Sequence, residues 1–271
     1  MRYVEFLDID APYSGALGRI EFDPFLAAVA SLKTIDGQPM VSHWIDPKPE
    51  LSIEENGATK LRNAVDASIL TSVSGTDPLN KTTAINGQPT FTVNTTGALG
   101  QGDAEDVRVD EWSMIAVHDL LPTVARNDVF GIGGGLATGV ELYPGLEVNI
   151  TATNGDGQII SREGGTTTRR IVRNFTALAG TPCISSVTFS TDLGFSVFKN
   201  NFEGFFRDDS DKRALTDPTF TYLANRSGNS QALGDFGMAF ILRADISRPE
   251  YAWARQILLG GLMSKYGITS S

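Results

Sequence analysis

The sequence predicts an all-β protein, an antiparallel β-sandwich with short helices near the two ends. Three observations carry that prediction. Apolar residues recur every second position through the middle of the chain, as in Leu146, Val148 and Ile150 alternating with Glu147, Asn149 and Thr151, which puts one face on a core and one in water. The 28 glycines and 12 prolines, with abundant Thr, Ser and Asn, suit short strands joined by tight turns. Helical spacing is confined to two segments.

The first of these opens at Asp23-Pro24, an N-cap followed by a proline in the first turn. Phe25, Leu26, Val29 and Leu32 form an apolar stripe that is expected to end near Asp36-Gly37. Asp46-Pro47-Lys48-Pro49 is the one stretch with linker composition. Trp112 to Val117 is apolar at every second position and between, which suits a central strand covered on both faces. After Ile150, Asn154-Gly155-Asp156-Gly157 supplies residues that tolerate positive φ, and Ile159-Ile160 resumes, so a hairpin is expected. Val187 and Phe189 alternate with Ser186, Thr188 and Ser190. Thr191-Asp192 then turns the chain, Phe195 to Phe198 rises, Asn200-Asn201 turns it again, and Phe202 to Phe206 returns. Phe236 to Leu242 reads as a second central strand. Ser247 is a candidate cap for a helix from Arg248-Pro249-Glu250 that carries Tyr251, Ala254, Ile257, Leu258 and Leu262 inward and ends at Lys265-Tyr266-Gly267.

Length and charge bound the function. A chain of 271 residues can fold as one large domain. Its formal charge of −10 argues against capture of a phosphate backbone, so nucleic acid is not expected as a partner. No stretch approaches the ~20 apolar residues of a membrane span, and acids interrupt Met1 to Asp8, so neither a membrane partner nor a secretory leader is expected. Cys183 is the single cysteine, which excludes an internal disulfide and multi-cysteine zinc sites.

Four segments, in order, resemble the concanavalin A-like (laminin-G-like jelly-roll) superfamily in the versions found in virion proteins of tailed phages. They are His43-Trp44-Ile45-Asp46, the run Ile85-Asn86-Gly87-Gln88-Pro89-Thr90-Phe91-Thr92-Val93, Trp112 to Val117, and Phe240-Ile241-Leu242 leading through a helix to Lys265-Tyr266-Gly267-Ile268. The resemblance implies a jelly-roll domain over 40–268 and leaves 1–39 as an N-terminal arm, either an attachment or oligomer contact or an added edge strand and helix. It implies a non-enzymatic structural or interaction protein, such as a capsid-decoration, tail or fibre component. Such a protein would be made in the host cytoplasm, assembled into the virion as a homo-oligomer with other virion subunits, and able to touch surface carbohydrate. A free lectin using loop aromatics such as Tyr143 and Tyr222, and a polysaccharide hydrolase or lyase, are the alternatives.

Catalytic patterns are sparse. No Glu-x-Asp-x-x-Glu run supplies the carboxylate pair of a retaining glucanase; Glu5-Phe6-Leu7-Asp8-Ile9-Asp10 is the nearest approach and reads as a strand with an acidic face. Asp103, Glu105, Asp106, Asp110 and Glu111 form the densest acidic stretch, a candidate base or a solvated loop. His43 beside Trp44 and His118 beside Asp119 are the only histidines open to a triad, and no Gly-x-Ser-x-Gly elbow exists. The run Gly131 to Gly139 fails the dinucleotide and phosphate-loop patterns and is expected to be a bulged loop needing positive φ. No cofactor is expected, with one exception: Asp208, Asp209 and Asp211 offer hard oxygen donors at spacings that suit Ca²⁺.

Overall fold

The computed structural model describes residues 23–48, 52–55, 58–66, 69–70, 80–93, 101–102, 104, 106–124, 126–135, 141–142, 145–162, 169–200, 206–210, 212–223 and 232–270. In chain order the elements begin with α1 (Pro24–Ala30), β1 (Val41–Ile45), β2 (Ser52–Glu55), β3 (Ala58–Arg62), β4 (Ile69–Leu70), β5 (Asn80–Ile85) and β6 (Gln88–Val93). The middle holds β7 (Gln101–Gly102), β8 (Glu111–Leu120), β9 (Arg126–Gly135), β10 (Glu141–Leu142), β11 (Gly145–Ile150), β12 (Gly157–Arg162) and β13 (Arg169–Phe175). The last third holds β14 (Cys183–Ser190), β15 (Gly194–Lys199), β16 (Phe206–Asp208), β17 (Thr216–Leu223), β18 (Gly234–Leu242) and α2 (Ala252–Tyr266), preceded by a single 3₁₀ turn over Pro249–Tyr251.

Two antiparallel sheets make the sandwich. One runs β16-β15-β14-β8-β18-β6-β5, with β1 also paired to β18; the other runs β13-β12-β11-β9-β17-β7, with β10 on β9. A small third sheet, β2-β3-β4, is joined to β1 by the Ile45–Asn63 bridge just after β3 and contributes Leu61 to the core. Between the two large sheets lie Trp112, Met114, Phe130, Ile132, Leu146, Val148, Ile159, Val187, Phe189 and Phe236. Trp112 anchors this core by stacking on Phe189 at 5.5 Å and meeting Phe195 edge-on at 5.9 Å, offset geometries that aromatic quadrupoles favour.

The opposite face of the first sheet is covered as well, which is why β8 and β18 carry apolar residues at successive positions. Ile115, Val117, Phe240 and Leu242 point away from the sandwich interior into a second core with α1 and α2, where Val29, Leu32, Leu258, Leu259 and Leu262 meet them. The Phe240 ring sits 5.6 Å from Trp44 there. Continuous apolar runs thus mark β8 and β18, whereas β14, in the same sheet, is buried at every position although Ser186, Thr188 and Ser190 alternate with Val187 and Phe189.

The helices differ in detail from the sequence expectation. Asp23 does cap α1, its carboxylate accepting the Phe25 and Leu26 N–H groups at 3.0 and 3.3 Å. The helix stops at Ala30, however, because Thr34 to Gln38 close a tight reverse turn, with Lys33 bridged to Pro39. Ser247 does not cap α2. Its N–H donates to Asp245, and the 3₁₀ turn over Pro249–Tyr251 precedes the helix without a side-chain cap. The buried stripe is Ala254, Leu258, Leu259, Leu262 and Tyr266, with Ile257 only partly covered, and Gly267 ends the helix in the left-handed conformation at φ 60°. No helix among the described residues is long and apolar enough to cross a membrane.

The glycine run departs furthest. Gly131 to Gly135 continue β9 as extended strand rather than forming a positive-φ loop, flanked by β11 and β10 on one side and β17 on the other. The irregularity expected there lies in the partner, where β17 shifts register on both sides of Pro218, a residue with no N–H for the ladder. The hairpins at Asn154–Gly157 and Thr191–Gly194 form as expected, with Gly155 at φ 86° and Gly194 at φ 77°. Of the return strand expected over Phe202 to Phe206, residues 201–205 lie outside the described residues, and β16 begins at Phe206.

The four segments that carried the family resemblance converge on one sheet. β1, β6 and β8 all neighbour β18 or one another, and the Asn86 side-chain amide at the β5–β6 turn donates to the Tyr266 carbonyl at the end of α2. These segments serve architecture: they lock the helix layer onto the first sheet.

Candidate functional site

Pairing brings three distant segments to one end of this sheet. Leu242 at the end of β18 is paired with Val41 at the start of β1 and with Ser113 near the start of β8. Residues just before β1, just before β8 and just after β18 must therefore meet. They form a cleft of about 290 Å³ lined by Thr34, Asp36, Gln38, Asp106, Val107, Arg108 and Arg243, a volume at the lower end of ligand clefts.

Arg243 is the fixed floor. Its Nε donates to the Asp106 carbonyl at 2.9 Å, Nη1 donates to the Pro39 and Val41 carbonyls at 3.0 and 3.3 Å, and Nη2 pairs with the Asp106 carboxylate at 3.1 Å. Arg108 donates from Nε to Asp110 at 2.9 Å and lies 3.7 Å from Asp36. The hydrogen bond to Asp110 raises the Arg108 guanidinium above its ordinary pKa despite some burial, so it stays charged. The Thr34 hydroxyl contacts the Asp36 carboxylate and receives the Gln38 N–H at 3.0 Å. That hydroxyl, ahead of the Arg108 charge, holds Asp36 below the usual carboxylate range. Val107 is the apolar residue of the lining, and Ile35 and Val109, next in sequence to lining residues, are 69% and 37% exposed.

Behind the cleft is a buried acidic bracket. Glu111 accepts the Asp245 N–H at 3.0 Å, Asp245 accepts from Ser190 and from the Ser247 N–H, and Arg248 joins Glu111 at 4.0 Å to Asp192 at 2.9 Å. Burial pushes Glu111 above the ordinary carboxylate pKa. All of these bonds hold the 243–248 segment onto the sheet end.

Of the acidic stretch singled out in the sequence, Asp106 lines the cleft, Asp110 clamps Arg108 and Glu111 belongs to the bracket; Asp103 and Glu105 lie outside the described residues. Arg108, Arg243, Thr34, Asp36 and Gln38 were not legible as a group, because only strand pairing brings them together.

The remaining candidates are dispersed. His118 and Asp119 point to opposite faces of β8, so they are no pair. His118 is fully buried, 2.9 Å from the Ser185 hydroxyl and 3.6 Å from Cys183, and burial lowers its pKa to about 3. Burial likewise pushes the Cys183 thiol up to about 12. Asp119 instead lies directly opposite Asp235 on β18, and burial followed by that charge raises its pKa. His43 is buried, with Nδ1 3.2 Å from the Ser42 hydroxyl. In the Ca²⁺ set, the Asp208 carboxylate accepts the Ser210 N–H at 3.0 Å, Asp209 is exposed, and Asp211 lies outside the described residues. Among the described residues no group of three or more His, Cys, Asp or Glu is placed to hold a metal. Glu5 to Asp10, Tyr143 and the Tyr222 side chain also fall outside what is described.

No family model matches the chain, and no curated protein matches it. Solved structures do. A Trypanosoma rangeli sialidase in complex with 2,3-difluoro-KDN superposes at TM-score 0.54 with 12% identity, over 91% of this chain and 38% of the sialidase chain. A Botulinum neurotoxin serotype D binding domain superposes at TM-score 0.54 with 9% identity, over 88% of this chain and 53% of that one. A Ruminococcus gnavus sialidase CBM40 bound to α2,3-sialyllactose lies further off, at TM-score 0.40 and 12% identity over 55% of this chain and 83% of the module. This chain thus spans well under two thirds of the sialidase and toxin chains, and at these identities the likeness is one of fold alone.

Proposed function

We propose that the chain is a non-enzymatic recognition module that binds carbohydrate through the cleft between residues 34–38, 106–110 and Arg243, and that it works as an oligomeric surface component of a tailed-phage virion. The cleft itself carries the carbohydrate part. Sugars present dense hydroxyls that need directional donors and acceptors, beside C–H faces that need apolar surface. Asp36, Gln38, Asp106 and Arg108 supply the first; Val107 in the lining, with Ile35 and Val109 exposed next in sequence to lining residues, supports the second. Binding rather than cleavage is supported by charge: Asp36 is held ionised, and Glu111, whose pKa is raised, is committed to the Asp245 backbone. A glycosidase acid must keep its proton at the scissile bond. The order of the four resembling segments supports the virion part.

Glycan-array binding of the wild type, compared with Asp36→Ala and Gln38→Ala, tests the sugar reading; binding that survives both substitutions unchanged refutes the cleft. Peptides of this chain in purified particles, and their absence, decide the virion reading. A second reading, polysaccharide cleavage, is favoured by the Asp119–Asp235 pair, in which one carboxyl has a raised pKa and the other receives the Thr92 hydroxyl. Reducing-end release from bacterial surface polysaccharide, abolished by Asp235→Asn, would favour it.

A further inference from the structure

The exposures in the cleft and at Asp110, the partner of Arg108, are unequal. The side chains of Asp36, Asp106 and Asp110 are 58%, 57% and 50% exposed, whereas Arg108 and Arg243 are 33% and 19% exposed. The guanidiniums sit behind and the carboxylates in front. The donors are partly spent: Arg243 makes three bonds to backbone carbonyls and one to Asp106, and Arg108 donates from Nε to Asp110 with Asp36 3.7 Å from its Nη1. A ligand therefore meets acceptor oxygens and negative charge at the mouth, on a chain that is itself at −10.

We infer that the cleft selects a donor-rich neutral or amine-bearing saccharide and discriminates against acidic ones, including those with a carboxylate on the sugar. An anionic sugar would have to compete with Asp106 for Arg243 and with Asp110 and Asp36 for Arg108. It would also approach the two exposed carboxylates of the lining, Asp36 and Asp106, with Asp110 next to Arg108. An ammonium group, or hydroxyls donating to Asp36 and Asp106, would meet complementary groups. The likeness to a sialidase fold thus does not carry over to an acidic ligand. This inference rests on the cleft being the sugar site.

The test is calorimetric titration of the full chain, at low salt and pH 7, with chitotriose, N-acetylchitotriose and trigalacturonate, which share length and differ in charge. Chitotriose or N-acetylchitotriose should bind at least about tenfold tighter than trigalacturonate, and the gap should shrink at 0.5 M NaCl, where screening is near complete. Asp36→Asn with Asp106→Asn should narrow it several-fold while circular dichroism stays unchanged. Trigalacturonate binding as tightly as the others, and weakened by Gln38→Ala, would overturn the charge selection and leave the cleft standing. No binding of any of the three at millimolar concentration would overturn the cleft reading itself, and the selection with it.

Discussion

Replacing Gly237 by alanine is the sharpest single perturbation of this architecture. Gly237 lies where β18 shifts register against β8, between Phe236 and Ala239. An added Cβ would stand 2.8 Å from Cε1 and Cζ of Tyr266 and 2.9 Å from its hydroxyl oxygen. The ring cannot yield easily. Tyr266 is 1% exposed, accepts the Met238 N–H at 2.9 Å, receives the Asn86 amide on its carbonyl, and is followed by the Gly267 cap. Overpacking of this kind costs about 1–3 kcal/mol, and the buried Met238 N–H left without its acceptor adds about 1–3 kcal/mol. A total near 3 kcal/mol should lower the urea midpoint by about 1 M for an m-value of roughly 3 kcal/mol/M. The assay is urea unfolding followed by tryptophan fluorescence in a double-mutant cycle with Tyr266→Ala. In the Tyr266→Ala background Gly237→Ala should cost almost nothing, a coupling far outside the ~0.5 kcal/mol expected of independent sites. Additive costs would show that the steric argument is wrong.

Three further outcomes follow from buried or opposed charges. The unfolded His118 imidazole takes up a proton below pH 6.5 and the folded one only near 3, so stability should be full above pH 6.5 and fall by about 1.4 kcal/mol per unit as pH drops towards 3; in His118→Gln that part of the slope should vanish, and an unchanged profile would contradict the assignment. Cys183, buried and with its thiol pushed up to about 12, should not react with a disulfide reagent at pH 8 until the chain is unfolded in urea; rapid native-state labelling would refute its burial. Asp119 faces Asp235 across the strand pair, so Asp119→Asn should stabilise by about 0.5 kcal/mol at pH 7. Because the folded pKa of Asp119 is raised, that gain should be present above it and disappear below the ordinary carboxylate range, where wild-type Asp119 is protonated; destabilisation at pH 7 would contradict the repulsion.

The strands were legible where apolar and polar residues alternate, although Glu147, Ser186, Thr188 and Ser190 on the polar side are themselves buried. Val148 and Phe189 announced themselves by alternation with polar neighbours, and Asn154-Gly155 and Asp192 to Gly194 by their turn chemistry. Trp112 to Val117 and Phe236 to Leu242 were legible as doubly covered, yet what covers their second face was not: α2 shows its stripe, but nothing local says that it lies on Ile115 and Phe240 rather than at an edge. Of the loop expected over Gly131 to Gly139, Gly131–Gly135 form strand instead, because glycine signals only permissiveness and extended pairing on both sides uses it without positive φ; residues 136–139 lie outside the described residues. The cleft was invisible for a different reason. Arg108 and Arg243 look like ordinary surface arginines in sequence. Only the antiparallel pairing of β1 and β8 on either side of β18 places them together, and the same pairing, not any motif, opposes Asp119 to Asp235.

Diffraction from crystals of the full chain grown with N-acetylchitotriose tests the central claim most directly. The account predicts a pyranose ring in the cleft, its hydroxyls donating to Asp36 and Asp106 beside Ile35 and Val109. Density for the sugar on the Asp119–Asp235 face instead, with the cleft free of it, would contradict the account.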